Sequence, residues 1–271
     1  MPELPEATTI ARGLADALTG AQVRQVRLLR RDFFKGGRRA ELARLAGAWI
    51  DGVERRGKWV IVRLDGRRLV LQLGMAGRVY VHPACEPLPP HTHLTIALAD
   101  GRELRYANSR RIAAGVRLLA PGRSALLEAL GPDADEIECA EFVQRLAGRK
   151  APIKAALLNQ SILAGVGNIY SDEALFRAGL RPGRRVNRIA RRKLIELHRR
   201  VREVLTEAIA AGGSTLESST PFAGPNGEMG YFTHSHQVYG RYGQPCLRCG
   251  TVLRRTTIGG RTSSYCPRCQ R

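Results

Sequence analysis

The sequence predicts an α+β protein in which an N-terminal helix and an antiparallel β-sandwich come first, a helical region follows, and a cysteine-rich β-hairpin comes last. Short stretches rich in β-branched residues, separated by glycines, occupy residues 22–119. From residue 139 onward apolar residues recur at helical spacing, and four cysteines fall within the last 26 positions. These three observations define the fold class.

The first predicted element is a helix that follows PELPE. Its apolar face consists of Ile10, Leu14, Ala17 and Leu18. The pattern ends at Gly20, as expected for an amphipathic helix. Pro5 suits a first helical turn, and Glu6 suits the positive end of the helix dipole. Pro2 and Glu3 have no such explanation, which makes them candidates for chemistry.

The predicted strands lie in QVRQVRLL, KWVIVRL, RLVLQLGMAGRVYV, HLTIALADG, ELRYA and GVRLL. Short strands punctuated by turn residues are typical of an antiparallel sandwich. Proline and glycine in LLAPGRSALLEALGPDADE place a boundary near residues 120–137. We therefore assign residues 1–130 to a β-sandwich domain.

Residues 131–235 form the predicted helical domain. Its helices lie in CAEFVQRLAG, IKAALLNQ, NIYSDEALFRAG and IARRKLIELHRRVREVLTEAIAAGG. The last of these has a core stripe at three-four spacing, made of Leu194, Leu197, Val201, Val204 and Ala208. The stretch STLESSTPFAGPNGEMGYF is too rich in Gly, Pro and Ser for regular structure and long for a passive connection. It predicts a mobile binding loop at residues 213–232, and the composition is equally compatible with an ordinary disordered connector.

The charge balance favours a polyanionic partner. The chain has 44 Lys and Arg against 24 Asp and Glu, a formal net charge of +20, so nucleic acid is the first candidate. No apolar run approaches the roughly 20 residues that a membrane-spanning helix needs. The start of the chain lacks the basic and then apolar pattern of a secretory signal. We expect a monomer in the cytoplasm, associated with the nucleoid and not with a membrane.

The four C-terminal cysteines predict one structural zinc ion. Their spacing is C-x2-C-x16-C-x2-C, and the residues are Cys246, Cys249, Cys266 and Cys269. Four thiolates leave no open position for a catalytic water. The intervening TVLRRTTIGGRTSSY, with Gly259 and Gly260 at its centre, predicts a tight hairpin with Arg261 at its tip. Residues 236–271 are thus a zinc-ribbon module, which either enters a DNA groove or serves as an interaction module that touches no nucleic acid.

Four motifs in order resemble bacterial formamidopyrimidine-DNA glycosylase over essentially the whole chain. They are PELPE, the pair LGMAGR and VYGR, LNQSILAGVGNIYSDEALF, and the ribbon ending in RTSSYCPRCQ. The resemblance implies a helix-two-turns-helix element in the helical domain and double-stranded damaged DNA as the partner. It also implies excision of oxidised purines such as 8-oxoguanine and formamidopyrimidines, followed by β,δ-elimination at the abasic site.

The resemblance also implies five catalytic residues. They are Pro2, Glu3, Glu6, Lys58 and Arg261. Removal of Met1 would expose the Pro2 amine, and an α-amino group has a pKa of roughly 8, so far more of it is neutral at pH 7 than of a lysine. Glu3 acts as general acid and base, with Glu6 as a supporting carboxylate. Lys58 is the proton donor for β-elimination, and Arg261 serves the second elimination, where a permanently charged guanidinium suits phosphate binding better than proton donation.

The residues that the resemblance implies for DNA binding are Met75, His91, Arg110, Ile112, Lys150 and Asn168. Asn168 follows two glycines at a predicted helix start, where backbone N–H groups can bind a phosphate. Met75 and Arg110 fill the gap that an extruded base leaves. The chain departs from the family at NSRRIA, where the usual motif is Asp-x-Arg-Arg-Phe-Gly. Ile112 therefore replaces the aromatic wedge and Asn108 replaces an acid.

Two alternatives remain open at this stage. An endonuclease VIII type enzyme would act on oxidised pyrimidines, but such enzymes usually begin PEGPE, and Leu4 argues against this class. The second alternative is a catalytically impaired zinc-ribbon DNA-binding protein, with which the replacement of the aromatic wedge by Ile112 is compatible.

Overall fold

The computed structural model describes residues 2–36, 39–216, 223–225 and 227–271. The chain forms two compact units. The first consists of Met1–Glu128 with Ala211–Tyr231, and the second of Ala129–Ala210 with Phe232–Arg271. The predicted α+β class is confirmed, since both helices and antiparallel sheets are present.

Within its described residues, the first unit contains one long helix and two antiparallel sheets of four strands each, in the orders β1-β6-β7-β5 and β2-β3-β4-β8. Its helices are α1 (Leu4–Leu18), α2 (Arg39–Ala43) and α3 (Ala125–Glu128). Its strands are β1 (Val23–Leu28), β2 (Ile50–Arg56), β3 (Trp59–Leu64), β4 (Arg67–Leu73), β5 (Gly77–Pro83), β6 (Thr92–Leu98), β7 (Arg102–Asn108) and β8 (Ala114–Leu119).

The apolar face of α1 is buried in a core shared with both sheets. Ile10, Leu14 and Leu18 have no exposed surface, so the predicted helix face is confirmed. The stretch RLVLQLGMAGRVYV is two strands rather than one, because β4 and β5 lie in different sheets. A turn at residues 74–76 joins them, and Gly74 has a φ of +57°, a conformation that favours glycine.

The second unit is helical and ends in a two-stranded hairpin. Its helices are α4 (Cys139–Leu146), α5 (Ile153–Leu158), α6 (Asn168–Arg177) and α7 (Arg191–Ala210), and its strands are β9 (Arg254–Ile258) and β10 (Arg261–Tyr265). All four predicted helices are confirmed. The predicted stripe on α7 is buried along its length at Leu194, Leu197, Val201, Val204 and Ala208.

The segment predicted as a binding loop is only partly described, since residues 217–222 and 226 lie outside the described residues. Its two described ends pair with each other. The Thr215 N–H donates to the Gly230 carbonyl at 3.1 Å, and the Tyr231 N–H donates to the Ala211 carbonyl at 2.9 Å. Among the described residues, no helix has both the length and the apolar character needed to cross a bilayer.

Candidate functional site

The start of the chain is held in place by one buried carboxylate. Glu3 precedes α1 as its N-cap residue and is 3% exposed, and Pro2 is buried beside it. Glu6 is 1% exposed, and its Oε2 accepts the backbone N–H of Glu3 at 2.7 Å. Its Oε1 accepts the backbone N–H of Ser214, also at 2.7 Å. Glu6 therefore fixes the Pro2–Glu3 segment and the base of the 213–232 segment through the same side chain.

Gly213 makes this close approach possible. A Cβ at position 213 would lie 2.8 Å from Glu6 Oε1, and the φ of Gly213 is +89°. A larger residue would therefore both strain the backbone and displace the carboxylate. No local pattern in the sequence indicates Ser214, because its contact with Glu6 spans 208 positions and uses only the backbone of Ser214.

Lys58 lies in the two-residue turn between β2 and β3, beside Gly57 with its φ of +57°. The lysine is partly buried. Helix α1, which carries Glu3 at its N-terminus, packs against both strands. The structure thus places Pro2, Glu3, Glu6 and Lys58 in one compact unit, whereas Arg261 lies in the other.

Asn108 connects three segments that carry predicted DNA-binding residues. Its Nδ2 donates to the Leu73 carbonyl at 2.9 Å, next to the turn of Met75. Its backbone N–H donates to the His91 carbonyl at 3.0 Å. Its Oδ1 accepts the N–H groups of Arg110 and Arg111 at 3.1 and 2.7 Å, closing an Asx-type turn. A carboxylate at this position could accept the same two bonds, but it could not donate the third.

The turn that carries Ile112 is strained and exposed. Arg111 and Ala113 have φ values of +54° and +53°, and Ile112 is 58% exposed. A Cβ on Gly74 would lie 2.3 Å from the Ile112 carbonyl oxygen, so the backbones of the two turns touch. The structure therefore brings the turns of Met75 and Ile112 together, with Met75 partly and Arg110 well exposed. His91 is also exposed and has a φ of +62°.

In the second unit, α6 begins at Asn168 after the N-cap residue Gly167. The Oδ1 atom of Asn168 is buried and accepts no hydrogen bond within the described part of the chain. Lys150 is exposed in the connection between α4 and α5. These placements suit phosphate contacts, because the first N–H groups of a helix have no intrahelical acceptor.

The four cysteines form a compact metal centre. Each offers one Sγ atom, and all four Sγ atoms lie within 4.8 Å of one another. A tetrahedral zinc site with bonds of about 2.3 Å places its sulfurs on the order of 3.8 Å apart, so the cluster fits one ion. Each cysteine pair lies in a tight turn, in which the Gly250 N–H donates to the Cys246 carbonyl at 2.9 Å and the Gln270 N–H to the Cys266 carbonyl at 3.0 Å. The prediction of one structural zinc is confirmed.

The hairpin between the cysteine pairs has the predicted tight turn. Ile258 pairs with Arg261, which leaves Gly259 and Gly260 as a two-residue loop. Both glycines have positive φ, 58° and 71°, as a type I′ turn requires. Arg261 is exposed directly after this turn.

A buried ion pair anchors the hairpin to the helices of its own unit. Lys154 of α5 and Asp172 of α6 are 0% and 1% exposed, with Nζ 2.7 Å from Oδ1. The Asp172 carboxylate also accepts the Ser264 N–H at 3.0 Å and the Ser263 hydroxyl. The Asp172 carboxylate therefore connects α6 with both α5 and β10.

Glu173, the next residue, organises the segment before the ribbon. Its carboxylate accepts the backbone N–H groups of Gln237, Val238 and Tyr239 at 2.9, 3.0 and 2.8 Å. Burial raises the pKa of Glu173, and these three donors oppose that effect. The structural roles of Lys154, Asp172 and Glu173 were not predicted from the sequence. The available signal was a charged residue within an otherwise apolar helix, as in IKAALL.

Profiles of known families match all three parts of the chain. Residues 1–114 match the formamidopyrimidine-DNA glycosylase N-terminal domain, residues 129–220 match the H2TH domain of that enzyme, and residues 243–271 match the zinc finger found in this glycosylase and in IleRS. The fold and the metal centre therefore define a DNA glycosylase with a zinc finger.

The chain belongs to the formamidopyrimidine-DNA glycosylase family. It is 41% identical over 278 residues to the formamidopyrimidine-DNA glycosylase of Geobacillus kaustophilus, with both chains fully covered. A Lactococcus lactis glycosylase, solved with DNA containing N7-benzyl-Fapy-dG, matches with a TM-score of 0.90 and 31% identity, and both chains are fully covered. A protein solved with DNA containing carbocyclic 8-oxo-G matches with a TM-score of 0.91 and 30% identity over the whole of both chains.

Proposed function

We propose that this protein excises oxidised purines from double-stranded DNA through the amine of Pro2 and then cleaves the abasic strand by β,δ-elimination. The observation that carries the proposal is that the buried Glu6 carboxylate accepts the backbone N–H groups of Glu3 and Ser214. We call this arrangement the Glu6 clamp. A buried carboxylate that accepts the Glu3 N–H at 2.7 Å holds the first residues of the chain in one position. A nucleophile at a chain terminus needs such a restraint, because termini are otherwise poorly ordered.

The chemistry of proline suits both steps. Addition of the Pro2 nitrogen to C1′ of the sugar breaks the bond to the base, which leaves with a proton. The C1′–O4′ bond then breaks, the ring oxygen takes a proton as the sugar opens, and the nitrogen lone pair forms a C=N bond to C1′. Because the amine is secondary, this iminium is permanently cationic. It withdraws electrons as a proton leaves C2′ and the 3′ phosphate departs. Met1 lies outside the described residues, so its removal, which the mechanism requires, stays a prediction.

The remaining groups take roles that their positions allow. Glu3 is a carboxyl next to the reactive amine, and we assign it the protonation of the departing base or of the opening sugar. Lys58, at the β2–β3 turn, serves as the proton donor for β-elimination. Arg261 binds the phosphate that leaves in the second elimination, and this fits a permanently charged side chain at a hairpin turn.

The similar structures with Fapy-dG and 8-oxo-G support purine lesions as substrates. Leu4 stands where the pyrimidine enzymes usually have glycine. The pyrimidine alternative is therefore the weaker one, and borohydride trapping separates the two.

The test is borohydride trapping with the purified protein. Wild type incubated with an 8-oxoguanine duplex should give a covalent protein–DNA adduct, and a thymine glycol duplex should give less. A Glu3→Gln variant should lose excision of 8-oxoguanine more than trapping on a pre-formed abasic site, where no base has to leave. Absence of any adduct from protein with verified Met1 removal would contradict the proposal and leave the DNA-binding alternative.

Ile112 motivates a second test. An aliphatic wedge forgoes base–aromatic stacking, worth roughly 1 to 3 kcal/mol per base. We predict that Ile112→Phe speeds excision of 8-oxoguanine in single-turnover kinetics or changes the opposite-base preference, with exposed Ile195→Phe of α7 as the control. Unchanged rates opposite every base would count against Ile112 as the wedge.

A further inference from the structure

A dense run of positive charge lies between the end of α6 and the first turn of α7. Residues 181–193 read RPGRRVNRIARRK, with seven basic residues and no acidic one. We call this stretch the 181–193 cationic segment. Its basic residues are all exposed, and they are Arg181, Arg184, Arg185, Arg188, Arg191, Arg192 and Lys193.

These charges are not neutralised by neighbouring carboxylates. Among the described residues, none of the seven forms an ion pair with an acidic side chain. The later part of α7 is different, since Arg199 and Arg200 both pair with Glu196, at 2.8 and 2.7 Å. The same helix therefore has compensated arginines in its middle and uncompensated ones at its start.

The placement of these charges has an energetic cost that an anion would reverse. Arg191, Arg192 and Lys193 open α7, and its first turn has no acidic residue. Cations at the positive end of a helix dipole are electrostatically unfavourable. A bound phosphate would interact favourably with both the side chains and the helix end.

The segment is fixed to a connection that already carries a proposed DNA contact. The Ile153 N–H donates to the Arg184 carbonyl at 2.8 Å, the Val186 N–H to the Ala151 carbonyl at 3.1 Å, and the Asn187 N–H to the Arg149 carbonyl at 2.9 Å. Residues 149–153 include Lys150. The side chains of Val186 and Ile189 are buried and anchor the segment in the interior of its unit. The backbone that carries these exposed cations is therefore joined by hydrogen bonds to the connection that carries Lys150.

We propose that the 181–193 cationic segment is an additional DNA-backbone-binding surface, which contacts phosphates without reading sequence. Duplex DNA is the occupant because the segment is strongly basic and is joined to the connection that carries Lys150, and to that extent the inference rests on the proposed function. The segment raises affinity for undamaged and damaged duplexes alike and takes no part in the chemical steps.

The test compares two double variants, each of which removes two positive charges from the same region of the chain. Arg188→Gln/Arg192→Gln neutralises two exposed, uncompensated positions, and Arg199→Gln/Arg200→Gln neutralises two arginines that pair with glutamates. Fluorescence anisotropy with an undamaged duplex gives the dissociation constant across a range of salt concentrations. Each lost phosphate contact lowers the slope of log K against log salt by about 0.9, so the first variant should lose about 2.

The control variant should keep the wild-type slope. Single-turnover excision of 8-oxoguanine at saturating protein should be the same in all three proteins. Equal slopes for wild type and Arg188→Gln/Arg192→Gln would overturn the inference, as would an equal loss in the control. Weakened binding of heparin with unchanged duplex binding would also overturn it, by showing a different polyanion as the occupant. Failure of the proposed function would appear separately, as wild-type protein that binds DNA and excises nothing.

Discussion

The Glu6 clamp gives the sharpest prediction for a single substitution. Glu6→Gln keeps the shape of the side chain but offers one oxygen in place of two, so only one of the two backbone N–H donors, from Glu3 or Ser214, can keep its acceptor. The other N–H then faces an amide NH2 group at a site that is 1% exposed. Loss of one hydrogen bond to a charged group costs about 1.5 to 3 kcal/mol.

This cost should appear in both stability and chemistry. For a domain of this size each kcal/mol lowers the melting temperature by about 2 to 4 °C, so Glu6→Gln should melt on the order of 3 to 12 °C lower in calorimetry. Because the substitution releases the segment that carries Pro2, the borohydride trapping rate at 25 °C should fall as well, even where the protein is fully folded.

The matched control is Glu54→Gln, at a glutamate that is 48% exposed and 3.8 Å from Arg63. An exposed pair of this kind contributes about 0 to 1 kcal/mol, so its melting temperature and trapping rate should stay near wild type. If Glu6→Gln matched wild type in both measurements, the clamp would have no role in placing the nucleophile.

Three further predictions concern the other buried groups. Asn108→Asp places a carboxylate oxygen against the Leu73 carbonyl oxygen, so the free energy of unfolding measured in urea should fall by about 1 to 3 kcal/mol. The control Asn187→Asp, at an exposed asparagine, should have little effect. Equal unfolding energies would contradict the role given to Asn108. Burial lowers the pKa of His236 to about 4, from 6.5, so between these pH values the unfolded chain binds one more proton than the folded chain. The free energy of unfolding should therefore be highest above pH 6.5 and fall by about 3 kcal/mol at most as the pH drops toward 4. His236→Gln should abolish this decrease, whereas the control His234→Gln, at an exposed histidine, should retain it. Removal of zinc by a chelator should free the ends of the hairpin that carries Arg261 and weaken DNA binding, and unchanged affinity in metal-free protein would contradict this.

The sequence was informative where a local pattern decides the structure. Helical spacing located α1 and α7, and the cysteine spacing with two central glycines located the metal centre and the hairpin turn. The assignment of the two halves of RLVLQLGMAGRVYV to different sheets could not be predicted, because it depends on which distant strands β4 and β5 pair with.

The long-range part of the candidate site could not be predicted from sequence. The contact between Glu6 and Ser214 spans 208 positions and involves a backbone N–H, which every residue except proline possesses. Asn108 was identified as a departure from the family, but its bonds to the Leu73 and His91 carbonyls depend on where β4 and β6 lie. The Lys154–Asp172 pair depends likewise on the packing of α5 against α6.

The central claim is that the Pro2 nitrogen is the atom that attacks the sugar. The most direct measurement is borohydride trapping on an 8-oxoguanine duplex, followed by proteolysis and mass spectrometry of the peptide that retains the sugar adduct. The account predicts that the adduct lies on the N-terminal peptide, at Pro2, in protein that has lost Met1. An adduct on the peptide containing Lys58, or trapping that persists at full rate in protein that retains Met1, would contradict it.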